Sequence, residues 1–392
     1  MGLDVPFECL RAGHWRLVCA MRESTHHEYS DKWLWTYPSS TSGRDIAVSM
    51  VIQQSFHTMN IAINGFGRIG RTFFRQAFGH KGMTIVGIND LGDVENLAYL
   101  LQHDSVYRTY NQDVKKNGDM LVVGKQKIAV FHEKDPAKLP WKQLGVDVVI
   151  ESTGVFMTQD AASAHIRAGA KRVVISAPAK DDTPTATPNL NFNALSRSNV
   201  SSNASCTTNA TNPVVAVMMK ELGIQKGMLT TVHGYTATQK IVDGPDTKDF
   251  ARGRAAAINI IPTSTGAADA VERVMPEVKG KFDGIAMRVP VATGSIIDFT
   301  FISDRNTTAE EVNKILSRAA ASKEWSGILQ VADQPLVSSD IIGSPFGSIV
   351  DASLTRVVDG NMVKVCAWYD NEWGYCAMLL KHVEMISRLL KK

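Results

Sequence analysis

Asn60-Ile61-Ala62-Ile63-Asn64-Gly65-Phe66-Gly67-Arg68-Ile69-Gly70 runs from a short β-branched segment straight into glycines spaced G-x-G-x-x-G. Ile69, Phe73, Phe74 and Ala77 then share one face of a predicted helix. Met83-Thr84-Ile85-Val86-Gly87-Ile88 reads as a second strand, ending in Asn89-Asp90. This order of strand, turn, helix and strand is what separates a dinucleotide-binding turn from a glycine turn that serves only packing. The first glycine permits the tight turn, the second lets backbone approach a pyrophosphate, and the third lets helix and strand pack closely. N–H groups at the helix start face the phosphates. Gly65, Phe66, Gly67, Arg68 and Ile69 are therefore candidate cofactor contacts. Asp90 lies twenty residues past Gly70, where a carboxylate grips adenosine ribose hydroxyls. Its charge repels a 2′-phosphate, which favours NAD over NADP.

Working outward, Val146-Asp147-Val148-Val149-Ile150 leads to Glu151-Ser152-Thr153-Gly154, and Arg172-Val173-Val174-Ile175 leads to Ser176-Ala177-Pro178. An alanine-rich helix is predicted between them, over about 159–168. These elements extend a parallel sheet and predict an α/β chain with a Rossmann-type dinucleotide-binding domain. Ligands bind at the carboxyl ends of such strands, so Thr153 and Ser176 are candidates to line the cofactor cleft. Ordinary turn chemistry also accounts for them.

Ser205-Cys206-Thr207-Thr208-Asn209 precedes the apolar run Pro213-Val214-Val215-Ala216-Val217-Met218-Met219. A loop entering a helix would put the thiol at the first turn, where unpaired N–H groups and the positive dipole end favour thiolate. Cys206 is thus a candidate nucleophile, against the plainer reading of a packed, inert cysteine. The next strand, Met228-Leu229-Thr230-Thr231-Val232, delivers His233, either the base such a nucleophile needs or a core histidine. Arg252, Arg254 and Arg288 are candidate phosphate contacts or solvated surface.

The 392 residues are 44% hydrophobic and 21% charged, ordinary for a globular chain of two or three domains. A net charge of +3, dispersed along the chain, does not argue for nucleic acid or an anionic membrane. Cys9, Cys19, Cys206, Cys366 and Cys376 are too scattered for a disulfide framework and show no metal-ligand spacing. No metal and a cytoplasmic location are the expectations, and no apolar run has the length of a membrane span.

Residues 1–58 hold three of the seven tryptophans and no clean periodicity. They lack the features of a signal peptide and are too acidic for a transit peptide. The expectation is a disordered extension, with Met59 as the natural start. The other boundaries are expected at 59–205 for the cofactor domain, 206–371 for a catalytic domain and 372–392 for a helix returning to the cofactor domain.

INGFGRIGR at 63–71, SNASCTTN at 202–209, TATQKIVDGP at 236–245, NIIPTSTGAA at 259–268 and WYDNEWGY at 368–375 occur in this order. On these motifs the chain from residue 59 to 392 resembles the phosphorylating glyceraldehyde-3-phosphate dehydrogenases. The resemblance implies a second, α+β domain with a mixed, largely antiparallel sheet and helices on one face. The alternating run over 285–302, the strand over 361–368 and a final helix over about 372–390 suit it. It implies oxidation of glyceraldehyde 3-phosphate to 1,3-bisphosphoglycerate with reduction of NAD, a step of glycolysis or gluconeogenesis. Cys206 would be the nucleophile and His233 its base. Thr236 and Arg288, with Arg252, would hold the C3 phosphate; Ser205, Thr207, Thr265 and Gly266 would hold inorganic phosphate. Asn371 would fix the nicotinamide carboxamide, with Tyr375 nearby. A homotetramer is implied, its S-shaped loop corresponding to 235–262. Erythrose-4-phosphate dehydrogenase and a non-catalytic, redox-sensing relative are the alternatives.

Three departures from the family pattern stand out. Ala210 occupies the position of a second cysteine, so Cys206 has no neighbouring thiol in the sequence. Thr211-Asn212 replaces Leu-Ala, expected near the cofactor's adenosine, which bears on NAD selectivity. The segment 186–199 is short and rich in Asn and Ser.

Overall fold

The computed structural model describes residues 58–390 apart from 248, together with three strands further upstream. Those strands, Arg16–Leu17, Trp33–Tyr37 and Ile46–Met50, pair antiparallel in that order, within a unit of their own. Aromatic and β-branched residues in Trp33-Leu34-Trp35-Thr36-Tyr37 suit a strand although they do not alternate with polar ones. The disorder expected for the rest of 1–58 falls, save Thr58, on residues outside those described.

Eight strands form the first sheet: β1 (Met59–Asn64), β2 (Met83–Asn89), β3 (Val114–Lys116), β4 (Met120–Val123), β5 (Gln126–Phe131), β6 (Val148–Glu151), β7 (Arg172–Ile175) and β8 (Val200–Ser202). Their order is β8-β7-β6-β1-β2-β5-β4-β3, parallel from β8 to β5 and antiparallel in the β3–β4 edge. Side-chain alternation divides the parallel strands between two cores. Ile61, Ile63, Val148, Ile150 and Val174 pack with α1 (Arg68–Ala77) and α2 (Val94–Gln102). Ala62, Val149, Val173 and Ile175 pack on the other face with Trp141 and with Ala162 of α3 (Gln159–Ala162). Burial on both faces is why these strands read as continuous apolar runs. Each fully buried branched side chain contributes about 1.5–3 kcal/mol. The helix expected over 159–168 is interrupted at Ser163, whose hydroxyl donates back to the Gln159 carbonyl at 2.6 Å; α4 (Ala164–Arg167) follows.

The second sheet comprises β9 (Lys226–Gly234), β10 (Ile261–Ser264), β11 (Phe282–Val289), β12 (Ser295–Ile302), β13 (Leu329–Ala332), β14 (Ser348–Asp351), β15 (Arg356–Val358) and β16 (Met362–Tyr369). Its order is β10-β11-β9-β12-β16-β14-β13, with β15 beside β16. Only β9–β11 and β13–β14 are parallel pairs. The sheet is therefore mixed and mostly antiparallel, and the run over 285–302 breaks between β11 and β12. Alternate residues Ile297, Phe299 and Phe301 join Val363, Val365 and Ala367 in one core. Covering it are α5 (Cys206–Leu222), α6 (Ala267–Val274) and α7 (Ala309–Ala320). Finally, α8 (Trp373–Leu390) buries Tyr375, Cys376, Leu379, Val383 and Ile386 in the core of the first sheet. Among the described residues no helix is long and apolar enough to cross a membrane.

Candidate active site

Connections leave the first sheet in opposite directions at β1 and β6, and the crevice beyond their carboxyl ends is where such sheets take ligands. The glycine turn fills one wall. Gly65 has φ +91°, and a Cβ there would lie 2.7 Å from the backbone of Ser152 and Thr153. At Gly70 a Cβ would meet the Gly65 carbonyl oxygen at 2.1 Å. At Gly67 it would meet nothing within 4 Å, so the open approach to backbone lies at the middle glycine, just before the α1 N-terminus. That opening, the helix N–H groups and the Asp90 carboxylate fit a dinucleotide. Asp90 accepts from the Phe66 N–H at 2.6 Å and the Gly92 N–H at 2.8 Å, which ties it to the turn.

The Arg68 side chain has another task. Its guanidinium donates to both Glu372 and Asp104 and lies 5.6 Å from the centre of the Tyr107 ring. With its carboxylate partners already in place, Arg68 can serve a phosphate through its backbone N–H, as the first residue of α1.

Beneath the turn is a buried polar network that reading the sequence missed. Glu151 Oε1 accepts from the N–H and hydroxyl of Thr153 at 2.9 and 2.5 Å. Its Oε2 accepts from Asn64 Nδ2 at 2.6 Å and faces His165 Nε2 at 3.1 Å, while Trp141 Nε1–H donates to His165 Nδ1 at 3.0 Å. Asn89 donates to Asn64 Oδ1 at 2.7 Å. One carboxylate thus holds the residue before Gly65 and the exposed Thr153 loop, and Asn89 brings in the residue before Asp90. A signal was present: Asn64, Asn89 and Glu151 are the polar last residues of three largely apolar strands. The Ser176 hydroxyl donates to the Glu151 carbonyl at 3.0 Å, ordinary turn chemistry at a strand end.

Cys206 is the first residue of α5. Ser205 caps that helix, its hydroxyl accepting the Thr208 N–H at 3.1 Å. Ala204 just before it has φ +56°, a left-handed conformation that costs an L-residue about 1–2 kcal/mol. It is held by its N–H to Ser202 Oγ at 3.0 Å and by its carbonyl, which accepts the Tyr375 hydroxyl at 3.1 Å. Tyr375 is buried, so its hydroxyl supports the nucleophile loop. Cys206 Sγ lies 3.3 Å from His233 Nε2. The parallel register of β9 and β11 sets Arg288 beside His233, and Arg288 Nη1 is 2.6 Å from His233 Nδ1. Tyr369 presents its ring edge-on at 5.8 Å, its hydroxyl within 2.9 Å of Thr207 Oγ1 and 2.8 Å of Thr231 Oγ1.

The electrostatics around Cys206 run against the thiolate expected at a helix start. Burial pushes the Cys206 thiol up, against the downward pull of Arg288 and Thr207. Burial, reinforced by Arg288, pushes His233 down to about 3, opposed by the Gly234 carbonyl. For each group desolvation is the largest cause, and it disfavours the charged form.

Around the pair lie the other candidates. Thr236 Oγ1 is 2.9 Å from Thr238 Oγ1 and donates to Gln239 at 3.1 Å. Arg252 donates from Nε to Thr263 at 2.8 Å and pairs with Asp249 at 3.1 Å. Thr265 accepts the Ala267 N–H at 3.2 Å, and Gly266 caps α6 without a side chain. Thr207 is buried, its hydroxyl 2.9 Å from that of Tyr369, and its backbone N–H and hydroxyl both face Cys206. Asn371 Oδ1 accepts from Gly294 N–H at 3.2 Å and Ser295 Oγ at 2.9 Å, an arrangement that leaves its NH2 to donate.

One expectation is corrected outright. Thr211 and Asn212 are fully buried within α5. The Thr211 hydroxyl donates to the Thr207 carbonyl at 2.8 Å and Asn212 donates to Thr187 Oγ1 at 2.8 Å, so they are packing residues with no part in an adenosine site.

Comparison with known proteins agrees with this geometry. Residues 59–159 match the glyceraldehyde 3-phosphate dehydrogenase NAD binding domain, and 205–371 match the C-terminal domain. The chain is 47% identical over 342 residues to a glyceraldehyde-3-phosphate dehydrogenase of Mycolicibacterium smegmatis, covering 85% of this chain and 100% of that one. It is 49% identical over 319 residues to that of Geobacillus stearothermophilus, covering 81% and 95%. A chloroplastic relative from Arabidopsis thaliana is 47% identical over 333 residues, 84% of each chain. With an NAD cradle, a cysteine–histidine pair and both domains matched, the chain belongs to the glyceraldehyde 3-phosphate dehydrogenase family and is an NAD-dependent dehydrogenase of that type.

Proposed function

We propose that Cys206 carries the acyl group while glyceraldehyde 3-phosphate is oxidised and phosphorylated to 1,3-bisphosphoglycerate. The observation that carries this reading is the 3.3 Å approach of Cys206 Sγ to His233 Nε2 at the start of α5. Sγ attacks the aldehyde carbon, forming a C–S bond as the carbonyl electron pair moves to oxygen and the thiol proton passes through His233 Nε2 to that oxygen. His233 Nε2 takes the proton of the resulting thiohemiacetal hydroxyl while hydride leaves the same carbon. Bound NAD supplies the hydride acceptor. An oxygen of inorganic phosphate then attacks the thioester, the C–S bond breaks, and its electron pair returns to Sγ.

Arg288, Thr236 and Arg252 hold the C3 phosphate, and Ser205, Thr207, Thr265 and Gly266 hold the attacking phosphate. Asn371 orients the nicotinamide carboxamide through its free NH2. Replacing Cys206 with Ser should abolish turnover and leave NAD binding intact; retained turnover would overturn the nucleophile assignment. Comparing kcat/KM for glyceraldehyde 3-phosphate and erythrose 4-phosphate tests the substrate, and a preference for the longer aldehyde refutes it.

The reading includes a homotetramer. Ile241 (86% exposed), Phe250 (85%) and Ile258 (80%) leave large apolar surface on one segment, a pattern typical of an uncovered interface. Sedimentation that finds a monomer at micromolar concentration would reject it. It also includes a cytoplasmic location, supported by the free thiols of Cys206, Cys366 and Cys376 and tested by cell fractionation.

A further inference from the structure

We propose that Tyr107 is a positioning residue for Asn371: its hydroxyl fixes the turn that carries Asn371 and so sets how tightly the nicotinamide end of the cofactor is held, while the ADP-ribose end is left to the glycine turn. This deepens the reading above, since it takes Asn371 to meet the nicotinamide carboxamide.

The Asn371 side chain is gripped by the second sheet alone, through its Oδ1, which accepts from the Gly294 N–H at 3.2 Å and Ser295 Oγ at 2.9 Å. Where its NH2 stands also depends on the backbone of its neighbours Asp370 and Glu372, and both of these are held from the first domain. Tyr107 lies in the segment between α2 and β3, and its hydroxyl donates to Asp370 Oδ1 at 2.7 Å. The same Oδ1 accepts the N–H groups of Glu372 and Trp373 at 2.9 and 2.7 Å, and Oδ2 accepts that of Gly343 at 2.8 Å. The Tyr107 hydroxyl also accepts the Trp373 N–H at 3.1 Å, at the first residue of α8. One carboxylate and one phenol therefore span the turn on both sides of Asn371.

The tyrosine is itself fixed. Asp104 Oδ1 accepts the N–H groups of Val106 and Tyr107 at 2.8 and 2.9 Å, and Asp104 pairs with Arg68. The Arg68 guanidinium lies 5.6 Å from the centre of the Tyr107 ring and donates to Glu372, while the Trp373 ring packs 5.1 Å from that of Tyr107. Arg68, Asp104, Tyr107, Asp370 and Glu372 thus close a circuit around Asn371, anchored at the first residue of α1. Asp370 is fully buried, which pushes its carboxyl up against the opposing pull of the Gly343 N–H and the Tyr107 hydroxyl. Without that hydroxyl a buried carboxylate is left one donor short, and the turn must shift to recover one. Asp90 is held separately, by the N–H groups of Phe66 and Gly92, so the adenosine side of the cradle has no share in the loss.

Tyr107→Phe removes the hydroxyl and keeps the ring against Arg68 and Trp373. Calorimetry compares the binding of NAD with that of ADP-ribose, which lacks the nicotinamide, in the wild type, Tyr107→Phe, Ser295→Ala, Asn371→Leu and the double variant of Tyr107 and Asn371. ADP-ribose binding also reports that each variant has kept its cradle. Tyr107→Phe should weaken NAD roughly two- to tenfold, the effect of one net hydrogen bond, and bind ADP-ribose as the wild type does. In the presence of Asn371→Leu it should cost NAD nothing more. The proposal is overturned if Tyr107→Phe leaves NAD affinity unchanged, weakens both ligands equally, or adds its full effect to that of Asn371→Leu. Ser295→Ala frees Asn371 from the other side and should share the signature of Tyr107→Phe. If neither Ser295→Ala nor Asn371→Leu weakens NAD relative to ADP-ribose, the assignment of Asn371 to the carboxamide falls and the proposal falls with it. If both do and Tyr107→Phe does not, Asn371 keeps its role and Tyr107 loses the one proposed here.

Discussion

Gly67→Ala and Gly70→Ala form a matched pair that separates cofactor binding from packing within a single turn. A methyl group at Gly70 would lie 2.1 Å from the Gly65 carbonyl oxygen, about 0.9 Å inside the 3.0 Å floor for real Cβ contacts. Gly65 cannot yield, since it is left-handed and already packs against the backbone of Ser152 and Thr153. Gly70→Ala should therefore destabilise the fold by about 1–3 kcal/mol, the usual range for overpacking. Gly67 has φ −73° and open space around the missing Cβ, so Gly67→Ala should leave the apo fold within about 0.5 kcal/mol of wild type. If that space receives a pyrophosphate, the methyl displaces it from the N–H groups of α1. A lost hydrogen bond to a charged group is worth about 1.5–3 kcal/mol, so NAD should bind roughly ten- to a hundredfold more weakly. Thermal unfolding without cofactor and calorimetric titration with NAD measure the two effects separately. Wild-type NAD affinity in Gly67→Ala would refute the placement of the pyrophosphate. Equal destabilisation by both substitutions would refute the division of roles.

Three further outcomes can be checked. Ala204→Gly relieves a left-handed alanine, so stability should increase by up to about 1 kcal/mol after the greater unfolded-chain freedom of glycine is counted, read as a higher melting temperature. The looser peptide before Cys206 should lower kcat in steady-state assays, and a lower melting temperature would contradict the strain argument. His382, buried against Ser201 and the Ala186 carbonyl, is pushed down to about 4 by burial. Below about pH 6.5 the unfolded chain binds that proton and the folded one does not, so stability falls from there towards pH 4, by up to ~3 kcal/mol. Urea unfolding of His382→Gln should lose that part of the acid slope; an unchanged slope removes His382 as its source. Asn371→Leu removes the carboxamide contact and should raise KM for NAD, while iodoacetamide alkylation of Cys206 in the apoenzyme stays as in wild type.

Local chemistry made the cofactor half legible. Glycine spacing, β-branched strands and Asp90 are all within a short window, and β1, β6 and β7 stand out as near-continuous apolar runs because both their faces are buried. Cys206 was legible for the same reason: the helix it opens is announced by Ser205 and the apolar run that follows. Side-chain roles that depend on distant partners were not legible. Arg68 belongs to a phosphate-binding motif, yet its guanidinium is engaged by Glu372, from the far end of the chain. Thr207 has a hydroxyl in the right place, yet the sequence does not show that it is shared between Tyr369 and Cys206. The thiolate expected from the helix end is opposed by burial, which no linear spacing reports. The second sheet was reached through resemblance, because its strand order joins segments far apart in sequence.

The departures from the family pattern carry the same lesson in a form that can be argued from one bond. Read singly, Thr211-Asn212 looked like a change in cofactor selectivity, and the Asn- and Ser-rich 186–199 segment looked like a separate change. In the fold they are partners: Asn212 lies in α5 and donates at 2.8 Å to Thr187, at the start of that segment. Asn191 donates to the Thr185 carbonyl at 2.8 Å and adopts φ +57°, a conformation asparagine tolerates better than most residues. A buried amide with no partner would cost about 1–3 kcal/mol, so an asparagine inside α5 is acceptable only if the segment beside it offers a hydroxyl. Thr187→Val should therefore destabilise the chain far more in the presence of Asn212 than with Asn212→Ala, and a double-mutant cycle that finds the two effects additive would show that the departures are independent.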